Sequence, residues 1–159
     1  MFQKFFLIAC CLISGFAFSQ DLESIRVQYP QAINDVALTK TLYETLSDVS
    51  ETDAVLLAYK GAVATLKANF AKKIKDKKAY FTEGAQLIES AVEKDPQNIE
   101  IRYIRLSVQE NAPKFLKYND SIEADKAFIL EHLPSLKANS LKAEITSYIQ
   151  SSTSFDKAE

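Results

Sequence analysis

Hydrophobic and polar positions repeat with the period of an α-helix along most of the chain. The clearest pattern covers 51–73, where large apolar side chains recur every three or four residues at Leu56, Tyr59, Val63, Leu66 and Phe70. A neighbouring stripe consists mostly of small residues, namely Leu57, Gly61, Ala64, Ala68 and Ala71. Because small residues let another backbone approach closely, we predict that this helix lies at the centre of a bundle.

Weaker periodic patterns, bounded by capping residues and prolines, predict further helices. They cover 21–29, 31–49, 76–94, 99–110, 120–133 and 139–150. The expected N-terminal caps are Ser50 (in a capping box with Asp53), Asp76, Asn98, Asp120 and Asn139, and Pro30 is expected to end the first helix. The Asn-Gly and Asp-Gly dipeptides typical of β-hairpins are absent. The predicted fold class is therefore all-α, a bundle or short array of about six to seven antiparallel helices.

The N-terminal residues have the pattern of a secretory signal peptide. Lys4 precedes an apolar run over 5–18, and Ala17 and Ser19 are small residues of the kind a signal peptidase selects. We therefore expect a signal peptide at 1–19, a single α-helical domain at 20–150 and a flexible tail at 151–159, in a protein that is periplasmic or secreted. The alternative is a lipoprotein-like cleavage before Cys10, which would leave an acylated, membrane-anchored chain.

Cleavage after Ser19 would change the chemistry that the chain can support. Both cysteines, Cys10 and Cys11, would leave with the signal peptide. Disulfides, thiol nucleophiles, zinc ribbons and iron–sulfur clusters would then be excluded, because each of them needs cysteine. The whole chain has a formal net charge of -2, so we expect no nucleic-acid partner for it.

One stretch resembles a known helical repeat. Gly84, Ile88, Ala91 and the corner at 95–98 (Asp-Pro-Gln-Asn) are similar to the second helix and closing turn of a tetratricopeptide repeat. The resemblance implies helical hairpins and a groove that binds peptides. A signal peptide followed by a small helical domain is also similar to the organisation of exported proteins from Gram-negative bacteria.

The remaining side chains lack most of the sets that enzymes use. A carboxylate-bridged di-metal site needs two Glu-x-x-His elements, whereas the chain has a single histidine, His132, which we expect to face the C-terminal carbonyls of its helix. Glycine-rich phosphate loops and Gly-x-Ser-x-Gly elbows are missing. Acid pairs such as Glu89 and Glu93 leave a carboxylate-based hydrolase as a less favoured reading, since such pairs are usually solvated. We expect no cofactor, no metal and no enzymatic activity.

A run of lysines joins two of the predicted helices. Lys72, Lys73, Lys75, Lys77 and Lys78 are interrupted only by Ile74 and Asp76. Such a run could contact phosphate or lipid headgroups, but a solvated connector is the favoured interpretation, because no aromatic residues are interleaved with the lysines.

A second candidate surface follows one face of the predicted helix at 99–110. Arg102, Arg105 and Gln109 share a stripe, with Tyr103 beside it. The two arginines could bind a carboxylate or phosphate in bidentate fashion. Alternatively, they could pair internally with Glu89, Glu93 or an acid near Glu123.

These observations favour a binding protein over an enzyme. We predict an exported, non-enzymatic α-helical module that binds another envelope protein or a peptide, with contacts centred on Arg102 and Arg105. The alternative function is membrane association, through acylation of Cys10 or docking of the run at 72–78.

Overall fold

The computed structural model describes residues 14–137 and 139–155. Within these ranges the chain forms helices and no strands, which confirms the predicted all-α class. The α-helices are α1 (Ser14–Ala32), α2 (Val36–Thr45), α3 (Ala54–Phe70), α4 (Ile74–Lys94), α5 (Ile99–Asn111), α6 (Ile122–His132) and α7 (Ser140–Ser151). Short 3-10 turns follow at Lys114–Leu116, Leu133–Ser135 and Thr153–Phe155.

Most of the predicted signal peptide, including Cys10, lies outside the described residues, and 14–19 form the start of α1. Among the α1 residues from Leu22 onward, whose side chains the structure describes, Leu22, Ile25, Tyr29 and Ala32 pack on the core. Among the helices described, none is long and apolar enough to span a bilayer. Export therefore stays a prediction.

Helix α3 occupies the centre of the bundle, as its two apolar stripes predict. It contacts α1, α2, α4 and α5. Residues of both stripes are buried: Leu56, Tyr59, Val63 and Leu66 from the large one, and Leu57, Ala64 and Ala68 from the small one. An apolar surface on so much of the helix is covered only when neighbours pack around it, which sets the arrangement of the other helices.

The closest packing joins α3 to α4 through a pair of glycines. A Cβ atom built on Gly61 would lie 2.6 Å from the carbonyl oxygen of Gly84, and one built on Gly84 would lie 2.5 Å from the carbonyl oxygen of Gly61. Both distances are far below the contact distance of a methyl group and an oxygen. The two backbones therefore approach one another at positions where any larger residue would separate them.

Several helix ends differ from the predicted ones. Helix α1 continues through Pro30 to Ala32, because a proline near the C-terminus of a helix removes one hydrogen bond without stopping the final turn. The predicted helix over 31–49 begins only at Val36, because the Asp35 side chain accepts a hydrogen bond from the N–H of Leu38 and caps it there.

Three further caps need correction. Asp53 itself caps α3, rather than Ser50. Helix α4 begins at Ile74, ahead of the predicted cap Asp76, and α6 is preceded by Ser121 rather than Asp120. The caps predicted at Asn98 and Asn139 are confirmed, since each side chain accepts hydrogen bonds from the first turn of its helix.

Residues 151–155 are packed rather than frayed. Ser152 is buried, and its hydroxyl donates a hydrogen bond of 2.6 Å to Oε1 of Glu110. Phe155 packs against the core and meets the ring of Tyr148 edge-on at 6.3 Å. This part of the predicted tail therefore packs against the bundle and connects the end of α7 to α5. Residues 156–159 lie outside the described residues.

Substitution of a glycine at this contact tests the packing between α3 and α4 directly. We expect Gly84→Ala to lower the free energy of unfolding by about 2 kcal/mol or more, because overpacking against backbone outweighs the gain of about 1 kcal/mol in helix propensity. Urea denaturation followed by circular dichroism measures the change. Thr82→Ala, at an exposed position of the same helix, is the control and should change stability by less than about 0.5 kcal/mol. A more stable Gly84→Ala variant would contradict the close approach.

Candidate functional site

The predicted arginine stripe of α5 lies inside the bundle. Arg105 is 6% exposed, and its Nε and Nη2 atoms donate to the two carboxylate oxygens of Asp125 at 2.7 and 2.8 Å. Its Nη1 donates to Glu89 at 2.8 Å, and Nη1 of Arg102 also donates to Asp125 at 2.8 Å. Asp125 is fully buried at the start of α6. These contacts are those of the internal ion pair, the alternative that the sequence left open, and they join α4, α5 and α6.

The other two residues of the predicted surface are buried as well. Gln109 is 3% exposed, and no hydrogen bond from the described residues reaches its Oε1. Tyr103 is 5% exposed and donates to Glu144 on α7 at 3.0 Å. The stripe therefore does not form an exposed face for a partner, because its two guanidinium groups and the Tyr103 hydroxyl bind acids of neighbouring helices and Gln109 is buried.

Tyrosine–glutamate pairs link distant segments throughout the bundle, four of them between two helices and one between α4 and the connection that precedes α6. In each pair the tyrosine hydroxyl donates to a carboxylate that lies far away in the sequence. The pairs are Tyr43 with Glu83, Tyr59 with Glu100, Tyr103 with Glu144, Tyr118 with Glu89, and Tyr148 with Glu110. Tyrosine is suited to this role because its ring fills the core while its hydroxyl reaches the polar edge.

Burial, and after it the adjacent carboxylate, raises the pKa of every one of these tyrosines. The pKa of Tyr43 rises to about 12, and burial also raises the pKa of Tyr29 to about 12. A tyrosine that acts as a nucleophile or base needs a lowered pKa instead. These hydroxyls therefore remain protonated hydrogen-bond donors at physiological pH.

A second buried ion pair holds α1 on the bundle. Arg26 donates from Nε and Nη2 to the two carboxylate oxygens of Glu100, each at 2.7 Å, and Tyr59 donates to the same carboxylate at 2.9 Å. Glu100 is 3% exposed. Because α1 also contributes Ile25 and Tyr29 to the core, this bidentate pair fixes the orientation of the helix over α3 and α5.

An open cleft lies where α1, α3, α4, α5 and α7 meet. Its volume is about 310 Å³. Apolar side chains form its floor and walls, including the aromatic residues Tyr29, Phe81, Tyr103 and Tyr148 and the aliphatic residues Ile33, Leu66 and Val108. Neutral polar side chains complete it: Thr65, Asn69, Ser107 and Asn111. We call this feature the aromatic cleft.

The described residues that line the aromatic cleft carry no formal charge. Asn69, near the end of α3, and Asn111, at the end of α5, are exposed at its rim. The Asn111 amide nitrogen donates to the carbonyl oxygen of Ser107 at 2.8 Å, so its carbonyl oxygen faces away from that bond. A site of this kind favours an uncharged ligand with a large apolar group and some hydrogen-bonding capacity.

The lysine run lies apart from both the ion pairs and the aromatic cleft. Lys72 and Lys73 belong to the turn between α3 and α4, and the other three lysines belong to the first turns of α4. All five are exposed, and none of them takes part in the ion pairs seen among the described residues.

His132 behaves as the sequence predicts. It is the last residue of α6, and its Nδ1 lies 2.8 Å from the carbonyl oxygen of Phe128, so Nδ1 carries the proton in this bond. The imidazole also stacks on the Phe128 ring at 3.9 Å. In the part of the chain that the structure describes, no group of three or more histidine, cysteine, aspartate or glutamate side chains is arranged to hold a metal ion.

Sequence reasoning identified the residues of α5 but missed the aromatic cleft. The cleft brings together Tyr29, Asn69, Tyr103 and Tyr148, which come from four helices. The available signal was the recurrence of tyrosine at helical spacing, which does not distinguish a core position from the wall of a cleft. The chain matches no protein-family model, no curated protein and no solved structure.

Removal of the buried Asp125 carboxylate should lower the stability of the fold. Asp125→Ala leaves two guanidinium groups without their shared acceptor, and we expect the free energy of unfolding to fall by about 3 kcal/mol. Thermal and urea denaturation measure the loss. Glu123→Ala removes a carboxylate from the same helix that is 83% exposed and pairs with Lys126, so it should cost less than about 1 kcal/mol. Equal losses would contradict a structural role for Asp125.

Two glutamates should affect stability with opposite signs as the pH changes. Burial would raise the pKa of Glu110, but hydrogen bonds from Ser152, Tyr148 and Ser154 outweigh it and hold this pKa below its usual value. Because folding lowers this pKa, ionised Glu110 adds to the free energy of unfolding at pH values above the pKa of the unfolded state. This added stability is lost as the pH falls through the pKa of the folded state. We expect Glu110→Gln to cost about 1 kcal/mol at neutral pH and progressively less below about pH 4.

Burial raises the pKa of Glu144, so its effect on stability changes with pH in the opposite direction to that of Glu110. The ionised carboxylate costs stability in the folded state, whereas a glutamine can still accept the hydrogen bond from Tyr103. Glu144→Gln should therefore be more stable than the parent at neutral pH, and the difference should vanish in acid. Urea denaturation of the variant and the parent over a series of pH values measures the difference, and a Glu144→Gln variant that is less stable than the parent at neutral pH would contradict this sign.

Proposed function

We propose that the protein is a non-enzymatic binding module of the cell envelope, and that the aromatic cleft binds an uncharged, apolar segment of a partner polypeptide. The observation that carries this proposal is the chemistry of the cleft. Its lining is largely aromatic and aliphatic, and the described residues in it are uncharged. An acidic or basic ligand would lose its hydration there without gaining an opposite charge.

The rim of the aromatic cleft supports a peptide as the occupant. An asparagine amide offers both donors and an acceptor, which match the C=O and N–H groups of a peptide bond. Asn69 and Asn111 lie at the ends of α3 and α5 and are both exposed. They could therefore bind backbone groups while an aromatic or aliphatic side chain of the ligand enters the cleft.

The helical architecture supports a module that binds through its shape. Helical hairpins that resemble tetratricopeptide repeats would present such a cleft as part of a peptide groove. The tyrosine hydroxyls are protonated donors engaged by glutamates, and the paired arginines satisfy internal acids. These groups serve the packing of the bundle, which favours binding over catalysis as the activity.

Export to the envelope rests on the sequence at 1–19. The described residues that line the aromatic cleft begin at Tyr29, well beyond Ser19, so cleavage there would remove none of them.

Selection from a displayed library of random peptides tests the proposal. We expect the protein to enrich peptides with an uncharged centre that contains aromatic or large aliphatic residues. Ile33→Glu places a charge on an exposed wall of the cleft and should weaken binding of a selected peptide by about tenfold or more. Isothermal titration calorimetry measures the affinity.

Leu130→Glu is the matched control. Leu130 is 53% exposed and Ile33 is 47% exposed, but Leu130 is on α6 and does not line the cleft. The control should bind as tightly as the parent. Enrichment of acidic peptides, or equal affinity for the Ile33→Glu variant, would reject the aromatic cleft as the binding site.

A further inference from the structure

The exposed surface around the start of α4 combines a dense positive charge with an apolar side chain at its centre. We call it the basic patch and define it as Lys72, Lys73, Ile74, Lys75, Lys77 and Lys78. Its five lysines are exposed, in a chain whose formal net charge is -2. The patch therefore has the opposite sign to the protein as a whole, and it can attract an anionic surface that the rest of the chain repels.

The stability of α4 does not account for the basic patch. The N-terminus of a helix carries a partial positive charge, so lysines placed there destabilise the helix. Lys73 occupies the N-cap position and its side chain makes no capping hydrogen bond, while Asp76 is the acidic residue of the first turn. Helix stability would favour acidic residues at these positions, so the lysines are explained better by an external ligand.

The apolar component of the basic patch is also exposed. Ile74 has 85% of its surface accessible, more than any other large hydrophobic residue that the structure describes as exposed. A single exposed isoleucine is unremarkable elsewhere on a protein. Directly between Lys73 and Lys75, however, it forms the combination of charge and apolar insertion that binds the interface of a membrane.

A hollow next to the basic patch extends the positive surface. Its volume is about 300 Å³, and Lys40, Lys67, Lys72 and Asp76 line it together with the exposed Val36. The Lys67 ammonium lies 3.5 Å from the centre of the Tyr43 ring and 4.5 Å from that of Tyr80, which holds it in place. Three lysines and one aspartate line the hollow, and Lys40 also pairs with Glu44 at 3.8 Å, so a net positive charge remains to attract a phosphate headgroup.

We propose that the basic patch docks the protein on the surface of a membrane that contains anionic phospholipid. The lysines contact headgroup phosphates, Ile74 enters the boundary of the acyl chains, and the neighbouring hollow accepts one headgroup. This proposal goes beyond the peptide-binding function, because the basic patch shares no lining residue with the aromatic cleft.

The structure favours a lipid surface over a nucleic acid. The lysines of the basic patch are confined to one turn and the beginning of α4, and no aromatic side chain lies within the run at 72–78. The rings of Tyr43 and Tyr80 beside the hollow already contact the Lys67 ammonium. Lysine also acts as a point charge without the bidentate geometry that arginine uses to read a specific phosphate group. A compact cluster of point charges fits a surface of many mobile headgroups.

Co-sedimentation of the full chain with vesicles tests the proposal. We expect binding to vesicles of phosphatidylglycerol and phosphatidylethanolamine that weakens as salt is added, and at least about tenfold weaker binding after joint replacement of Lys73, Lys75 and Lys77 by glutamine. The control carries Lys94→Gln, Lys114→Gln and Lys137→Gln, which remove the same charge at exposed positions elsewhere. The apolar stretch at 5–18 is common to all these chains, so it cannot produce a difference between them.

A tryptophan reporter tests the insertion of Ile74. The chain has no tryptophan, so Ile74→Trp introduces a single fluorophore at the centre of the basic patch. We expect its emission to shift to shorter wavelength on anionic vesicles and to stay unchanged on vesicles of phosphatidylcholine alone. Phe115→Trp is the control, because Phe115 is 80% exposed outside the basic patch, and its emission should not shift.

Three results would overturn the proposal. The first is equal vesicle binding by the patch variant and its charge-matched control. The second is an unshifted Ile74→Trp emission on anionic vesicles. The third is displacement from vesicles by inorganic phosphate at constant ionic strength, which would indicate a site for a phosphate ion in place of a membrane surface. Retention of peptide binding by the patch variant would separate this outcome from the function of the aromatic cleft.

Discussion

The architecture depends on the contact of two backbones at Gly61 and Gly84. Because neither residue has a side chain, the backbones of α3 and α4 approach closely at their middle turns, where a Cβ on either glycine would lie 2.5 or 2.6 Å from the carbonyl oxygen of the other. The large face of α3 is thereby left for α1, α2 and α5. The bundle is a consequence of this arrangement, since a helix that is apolar over most of its circumference needs partners on every side.

Hydrogen bonds and ion pairs then fix the orientation of the outer helices against α3 and α4. Asp125 fixes α6 against α5 through two arginines, and Glu100 fixes α1 through Arg26 and Tyr59. Buried charges of this kind add little net stability, but they penalise every arrangement in which one partner is left unpaired. The tyrosine–glutamate pairs act in the same way at the polar edges, and they leave the uncharged aromatic cleft as the concave surface.

The two proposed surfaces differ in every physical property that governs recognition. The aromatic cleft is concave, neutral and built from five helices, whereas the basic patch is exposed, positive and contained in one turn and the start of α4. Under the two proposals, the protein binds a membrane through the basic patch and a partner polypeptide through the aromatic cleft. The basic patch contains no core residue, so it can be altered without disturbing the core. The aromatic cleft shares Tyr29, Leu66, Tyr103 and Val108 with the core, so it is best altered at an exposed position such as Ile33.

Local patterns in the sequence determined the helices, the central place of α3, the caps at Asn98 and Asn139 and the composition of the basic patch, because these follow from residues close together in the chain. Only the tertiary structure decided the rest. Whether Arg105 faces a ligand or Asp125 depends on a helix twenty residues further on, and the cleft needs side chains from Tyr29 to Tyr148. Periodicity reports which face of a helix is apolar, but the partner of that face is set by packing between distant segments, which no local pattern encodes.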